Sequence, residues 1–194
     1  MSRIALYSLV IIVVIAVCIG VYLLLIKPQE IIMPEDLIIN VKKTFTLESP
    51  AFGYGENIPR KYSLEGRNLS PPLQWRDAPP NTISFVLIMY DPDAPKGIFY
   101  HWILYNIPST ITSLPEGIPP KKVTPYGLQG VNDYGSIGYG GPHPPSGTRH
   151  RYIFLLLALD KELTLEPGAK INDVLKACKG HVIGYAKLLG YYSR

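Results

Sequence analysis

A chain of 194 residues with 19 basic and 15 acidic side chains fits one domain plus an appendage. A net charge of +4 is too small to supply the basic stripe of a nucleic-acid binder, so no nucleic-acid partner is expected. Cysteine is confined to Cys18 and Cys178. Cys18 lies in an apolar run, which leaves Cys178 without a disulfide partner in the domain and reads it as a small buried residue.

Residues Ile4 to Ile26 carry no charge. As a helix, those 23 residues would cross a hydrocarbon core of about 30 Å. Ala16-Val17-Cys18 is a poor small-x-small cleavage site and the apolar run continues past it, so an uncleaved anchor is expected rather than a signal peptide. The expected organisation is a transmembrane anchor at 1–26, a linker at 27–43 and a domain at 44–194. The protein would then be a single-pass protein of the cell membrane. Arg3 precedes the span, and Lys27, Lys42 and Lys43 follow it. Neither side wins cleanly by lysine and arginine count, and the domain is placed outside the cytoplasm.

Pro28 and Pro34 break the linker, whose Ile31, Ile32 and Leu37 to Ile39 would pack on the domain or rest at the membrane surface. Alternation over 44–47 (TFTL) predicts a first strand, and Ile58 to Tyr62 a second. Pro71 and Pro72 hold Asn68 to Trp75 extended. Ile83 to Met89 is a continuous apolar run, suited to a central strand covered on both faces. Trp102 to Ile107 and Arg151 to Leu159 are further strands. Between them Pro108 to Gly147 is a long Gly/Pro-rich loop, to which Tyr126, Tyr134 and Tyr139 give apolar mass. A helix capped by Asn172 and ended by Gly180 precedes a final strand, His181 to Leu189. The fold class is therefore mainly β with one or two short helices.

No phosphate loop, dinucleotide fingerprint, nucleophile elbow or zinc-finger spacing occurs. Chemistry rests instead on Asp91 and Asp93 in a stiff turn, and on His101 and His150, each at the start of an apolar strand. His143 reads as exposed, and His181 as a local partner of the helix terminus. Imidazole N–H groups, a protonated carboxyl and the backbone N–H groups of Gly140 and Gly141 would donate to an anion. Two ionised carboxylates would repel it. One of them must then be neutral, bonded away, or facing an ammonium group, and phosphate joined to an amine satisfies both signs.

DPDAP at 91–95, His-Trp at 101–102, GGPHPPSG at 140–147 and His-Arg-Tyr at 150–152 resemble the phosphatidylethanolamine-binding proteins. NLSPPLQW at 68–75 does so too, and KGHVIGYAKLLGYYSR at 179–194 resembles the ending of the bacterial and archaeal, Raf kinase inhibitor-like branch. The resemblance covers about Thr44 to Arg194. It implies a β-sandwich of two antiparallel sheets, a cis Ala94–Pro95 bond, and an anion pocket lined by Asp91, Asp93, His101, Gly141, Pro142 and His150, with Tyr152 nearby. The segment between DPDAP and His-Trp is shorter than in the animal proteins, and the anchor is not part of the common family pattern.

The expected function is non-enzymatic binding of a small anion or phosphorylated group, with no cofactor, metal or catalytic residue. An alternative is a protease or kinase inhibitor acting through the rigid loop at Tyr139 to Gly147. A hydrolase using Asp91 or Asp93 with His101 ranks last, because no activated nucleophile is evident.

Overall fold

Ser84 to Asp91 reads SFVLIMYD, and in this computed structural model all eight residues form one strand, β4, with every side chain buried. The structure describes residue 7 and residues 14–17, 31–42 and 45–194. The anchor expected at 4–26 therefore lies almost wholly outside the described residues. Among the described residues no helix is long and apolar enough to cross a membrane. Two compact units are present, Met1–Ile31 and Ile32–Arg194, and the second carries the fold.

A seven-stranded sheet runs in the order β2-β10-β9-β4-β5-β8-β7. Its strands are β2 (Glu56–Asn57), β10 (Val182–Ser193), β9 (Arg149–Leu159), β4, β5 (Phe99–Pro108), β8 (Gly127–Gln129) and β7 (Val123–Thr124). A three-stranded sheet in the order β1-β3-β6 covers one face, built from β1 (Thr46–Glu48), β3 (Leu73–Arg76) and β6 (Ser113–Leu114). Alternation along β4 serves two cores. Phe85, Leu87 and Met89 pack with Phe45, Leu47, Leu73 and Trp75 between the sheets. Val86, Ile88 and Tyr90 pack on the opposite face with Val174, Leu175 and Cys178 of the helix α1 (Ile171–Cys178). The expectation of a central strand covered on both faces holds.

The linker residues settle on the domain. Ile32, Leu37 and Ile38 join the second core, and Pro34–Leu37 forms a 3-10 turn. Glu35 accepts from the Tyr90 hydroxyl and from Lys187 Nζ at 3.2 Å. The compact unit accordingly starts twelve residues ahead of the boundary expected at 44.

Several local expectations are corrected. No strand spans Ile58 to Tyr62: pairing stops at Asn57, and Pro59, without an N–H and with φ of −57°, leads into a 3-10 turn at Arg60–Tyr62. The sandwich is not wholly antiparallel, because β2 runs parallel to β10. The helix is capped at Lys170, not Asn172, since a bridge from Lys170 to Val131 holds that residue extended. The region at Pro108 to Gly147 is not one unbroken loop, for it contributes β6, β7 and β8. Ala94–Pro95 is trans; no cis peptide occurs among the described residues. Pro95 sits second in a turn closed by Gly97 N–H donating to Ala94 O at 3.0 Å, a place that a trans proline fills without strain.

Both faces of β4 carry stability. Leu87→Ala and Ile88→Ala should each lower the unfolding free energy by about 2–5 kcal/mol in urea denaturation, whereas Val123→Ala on the exposed edge should stay within about 0.5 kcal/mol.

Candidate functional site

Three adjacent strands, β9, β4 and β5, bring the site together at one end of the large sheet. Asp91 is the last residue of β4 and shares its inter-sheet face with Phe85, Leu87 and Met89. His150 and Tyr152 lie two apart on β9, on the face of Phe154. His101 arrives differently. Met89 pairs with Trp102 but Tyr90 pairs with Tyr100, so His101 is the extra residue of a β-bulge. The bulge flips the alternation, so that Tyr100 and Trp102 face opposite cores, and it re-aims the imidazole.

Asp91, His101, His150 and Tyr152 are all buried. One Asp91 oxygen accepts from the Asp93 backbone N–H at 2.8 Å, which fixes the turn, and the other lies 2.7 Å from His150 Nδ1. His101 Nδ1 lies 2.7 Å from Gly140 O. A carbonyl can only accept, so Nδ1 carries the proton and the Nε2 lone pair of the neutral ring is left over. Burial pushes the His101 imidazole down to about 4, against the opposing pull of the Gly140 carbonyl and the Asp91 carboxylate. Phe99, Tyr134 and Tyr152 surround this ring, with centroids 4.9, 5.6 and 5.2 Å away.

The Tyr152 hydroxyl is occluded and has no partner; among the described residues only Trp75 Nε1 shares that condition. It faces the Asp91 carboxylate and the His143 backbone without bonding to either in good geometry. Burial and then Asp91 raise this phenol well above its ordinary range, and the same causes push Tyr134 up to about 12.

The loop at 138–142 forms the roof. Gly140 N–H donates to His101 O at 2.8 Å and Gly141 N–H to Asn68 Oδ1 at 2.7 Å. Tyr134 donates its hydroxyl to Gly141 O. Side chains are excluded here by contact: a Cβ on Gly141 would stand 2.3 Å from Tyr62 O, and one on Gly140 would stand 2.5 Å from Tyr134 Cδ2. Pro142, also buried, accepts from Leu64 N–H.

The expected residues divide accordingly. Asp91, His101, His150 and Tyr152 come together under Gly141 and Pro142. Asp93 does not join them. Arg151 Nη2 reaches its Oδ1 at 2.6 Å, and Arg151 Nε and N–H reach its Oδ2 at 3.0 and 2.9 Å. These bonds hold the Asp93 carboxyl below its ordinary range against the partial burial that would raise it. Gly140 and Gly141 do not offer N–H groups to a ligand, because both are engaged in shaping the roof. His143 is exposed, and His181 pairs with Asp160 at 2.9 Å. Two residues escaped the sequence reading: Asn68, at φ +52° and the first residue of NLSPPLQW, and Tyr134, held by Asn132 Oδ1 in an Asn-Asp-Tyr turn. Asparagine at a turn boundary, just after the turn at 64–67 and at the head of the turn at 132–135, was the available signal. Among the described residues no group of three or more His, Cys, Asp or Glu side chains is arranged to hold a metal ion.

Residues 48–193 match the sequence profile of the family described as phosphatidylethanolamine-binding protein. A UPF0098 protein of Methanothermobacter thermautotrophicus is 50% identical over 149 residues, covering 76% of this chain and 98% of its own. A UPF0098 protein of Aquifex aeolicus is 46% identical, with coverages of 75% and 86%. The crystal structure of a phosphatidylethanolamine-binding protein homologue from Chlamydia trachomatis superposes with a TM-score of 0.71 at 40% identity, covering 79% of this chain and 99% of that one. E. coli YbcL, described as a member of the mammalian family, gives 0.73 at 31%, with coverages of 78% and 99%. The chain belongs to the phosphatidylethanolamine-binding protein family.

The His101 imidazole makes stability depend on pH. Its folded pKa lies below the unfolded value of about 6.5, so as pH falls the unfolded chain takes up the proton first and gains. This contribution is flat above about pH 6.5 and destabilises by about 2–3 kcal/mol on reaching pH 4.5. Urea denaturation at pH 7 and pH 4.5 should show that loss, and His101→Gln should lessen it by about that amount.

Proposed function

We propose that this member of the family is a non-enzymatic binding protein whose pocket takes a small oxyanion, phosphate or a phosphoethanolamine-like group. The Tyr152 hydroxyl carries the reading. A buried hydroxyl without a partner costs about 1–3 kcal/mol, and an oxygen of a bound anion would remove that cost. His150 Nδ1 and an Asp91 oxygen, 2.7 Å apart, bond to each other and form one wall of the pocket. Both Asp91 oxygens already have partners in the wall, so recognition is assigned to the oxyanion rather than to an amine attached to it.

Binding without turnover is favoured by the state of the groups present. Among the described residues no serine or cysteine is hydrogen-bonded to His101 or His150, so neither ring is placed to activate a nucleophile. Cys178 lies on the far face of the large sheet with its thiol pushed up to about 12 by burial. A second reading, docking to a protease or kinase, draws support from the exposed tip at 145–149, which is fixed by Gly147 N–H donating to Arg194 O at 2.9 Å. Loss of protease or kinase inhibition on substituting that tip, with the pocket intact, would favour it.

The uncharged run at 4–26 supports a single-pass membrane anchor, and the domain is assigned to the side outside the cytoplasm. Resistance of the full chain to alkaline carbonate extraction, and cleavage of the domain by protease added to intact cells, are the expected results. Release into the carbonate supernatant would contradict the anchor.

For the pocket, titration with millimolar phosphate should shift the ring nitrogen signals of His101 and His150. Tyr152→Phe should weaken that binding about tenfold while leaving unfolding free energy equal or higher, because it deletes an unpaired buried hydroxyl. Unchanged affinity in Tyr152→Phe would count against the assignment.

A further inference from the structure

We infer that residues 31–39 form a strap with two sides, one fastened to the domain and the other laid on the headgroup layer of a lipid bilayer, so that the domain is held against the membrane. This rests on the anchor proposed above for the uncharged run at 4–26, and adds to it which part of the domain meets the bilayer.

The fastened side consists of Ile32, Pro34, Leu37 and Ile38, all buried. Three of them, Ile32, Leu37 and Ile38, join the core on the helix side of the large sheet. Glu35 then ties the 3-10 turn to two strands at once, accepting from the Tyr90 hydroxyl of β4 and from Lys187 Nζ of β10 at 3.2 Å. Asp36 bonds back to the strap, accepting the Met33 N–H at 2.8 Å. Lys187 balances the charge of Glu35, and Lys42, exposed just past the strap, offsets that of Asp36. The strap is therefore a fixed part of the domain surface and brings no net negative charge to an anionic lipid layer.

The other side is apolar and uncovered. Ile31 and Ile39 are 81% and 72% exposed, and Met33 is 38% exposed. Large apolar side chains exposed singly are ordinary on a protein surface, whereas a concentration of them marks a surface that meets an apolar partner. From residue 40 to the end of the chain no nine-residue stretch exposes more than one, yet these nine residues expose three.

The chain ahead identifies the partner. The uncharged run ends at Ile26, so the five residues Lys27 to Ile31 separate it from Ile32, the first residue fastened to the domain. Five residues fully extended reach at most about 18 Å. The headgroup layer itself takes up about 5–8 Å of that distance. A domain fastened so near the end of a membrane span has its strap within reach of the interface, where apolar side chains bury about 5–10 Å into the boundary between headgroups and acyl chains. Ile31, Met33 and Ile39 are the side chains available to do so.

The test reconstitutes the full chain in phosphatidylcholine vesicles containing a minority of phosphatidylglycerol, and attaches a nitroxide at Met33→Cys, at Ile39→Cys or at Val123→Cys on the edge strand β7. Each is made with Cys18→Ser; Cys178 is buried and stays unlabelled. Because all three labelled positions are exposed, the substitutions leave the core intact. Labels at 33 and 39 should collide severalfold more often with lipid-soluble oxygen, and severalfold less often with a water-soluble nickel chelate, than the label at 123. Equal accessibility at the three positions, in vesicles that retain the protein through carbonate extraction, would overturn the strap and leave the anchor standing. Shielding of 33 and 39 from both reagents would mean that protein, such as a second copy of the chain, covers them, and would overturn it too. Loss of the protein from the vesicles on extraction would overturn both the strap and the anchor.

Discussion

Asp91 ends a strand whose eight residues are all buried, so its carboxylate is drawn into the sheet with the apolar side chains that precede it. A buried charge must be paired or hydrogen-bonded, and the neighbouring strand supplies His150 at 2.7 Å while the following turn supplies the Asp93 N–H. Removing one partner of such a pair leaves an uncompensated charge at a cost of about 3–5 kcal/mol. The demand that β4 be covered on both faces therefore forces a polar cluster at its end. The long apolar run and the polar site are one feature.

The bulge at His101 does the complementary work on β5. Without it, residues 100 and 102 would share a face and Tyr100 and Trp102 could not belong to opposite cores. The inserted residue lands beside Asp91, and its Nδ1 proton goes to the Gly140 carbonyl of a loop some forty positions later. This bond holds the loop at the same time as it sets the polarity of the ring. A second bulge near Asn106, at φ +52°, repeats the device at the other end of the strand, where the asparagine side chain bonds both N–H and O of Leu163.

Two aspartates two positions apart thus have opposite fates. Strand alternation and the turn direct Asp91 inward to a histidine and Asp93 outward to Arg151, and the two partners are consecutive on β9. The mutual repulsion that two free carboxylates would bring to an anion is removed by giving each its own cation-forming partner. The roof is equally specific: Gly140 and Gly141 serve by having no side chain and by bonding the protein.

Local pattern determined much of this chain. The apolar run at Ile83 to Met89 suited a strand covered twice, which holds from Ser84 onward, 19 prolines fitted short strands better than a helical bundle, and the motifs around Asp91, His101, Gly141 and His150 marked the family and the cluster. What sequence could not decide was the direction of hydrogen bonds between segments far apart in the chain. That Arg151 claims Asp93, that Asn68 claims the Gly141 N–H, and that Gly140 fixes the His101 tautomer all depend on which atoms the closed sandwich brings within 3 Å. Residue types set which groups are present; tertiary contacts set which of them are paired and which remain free.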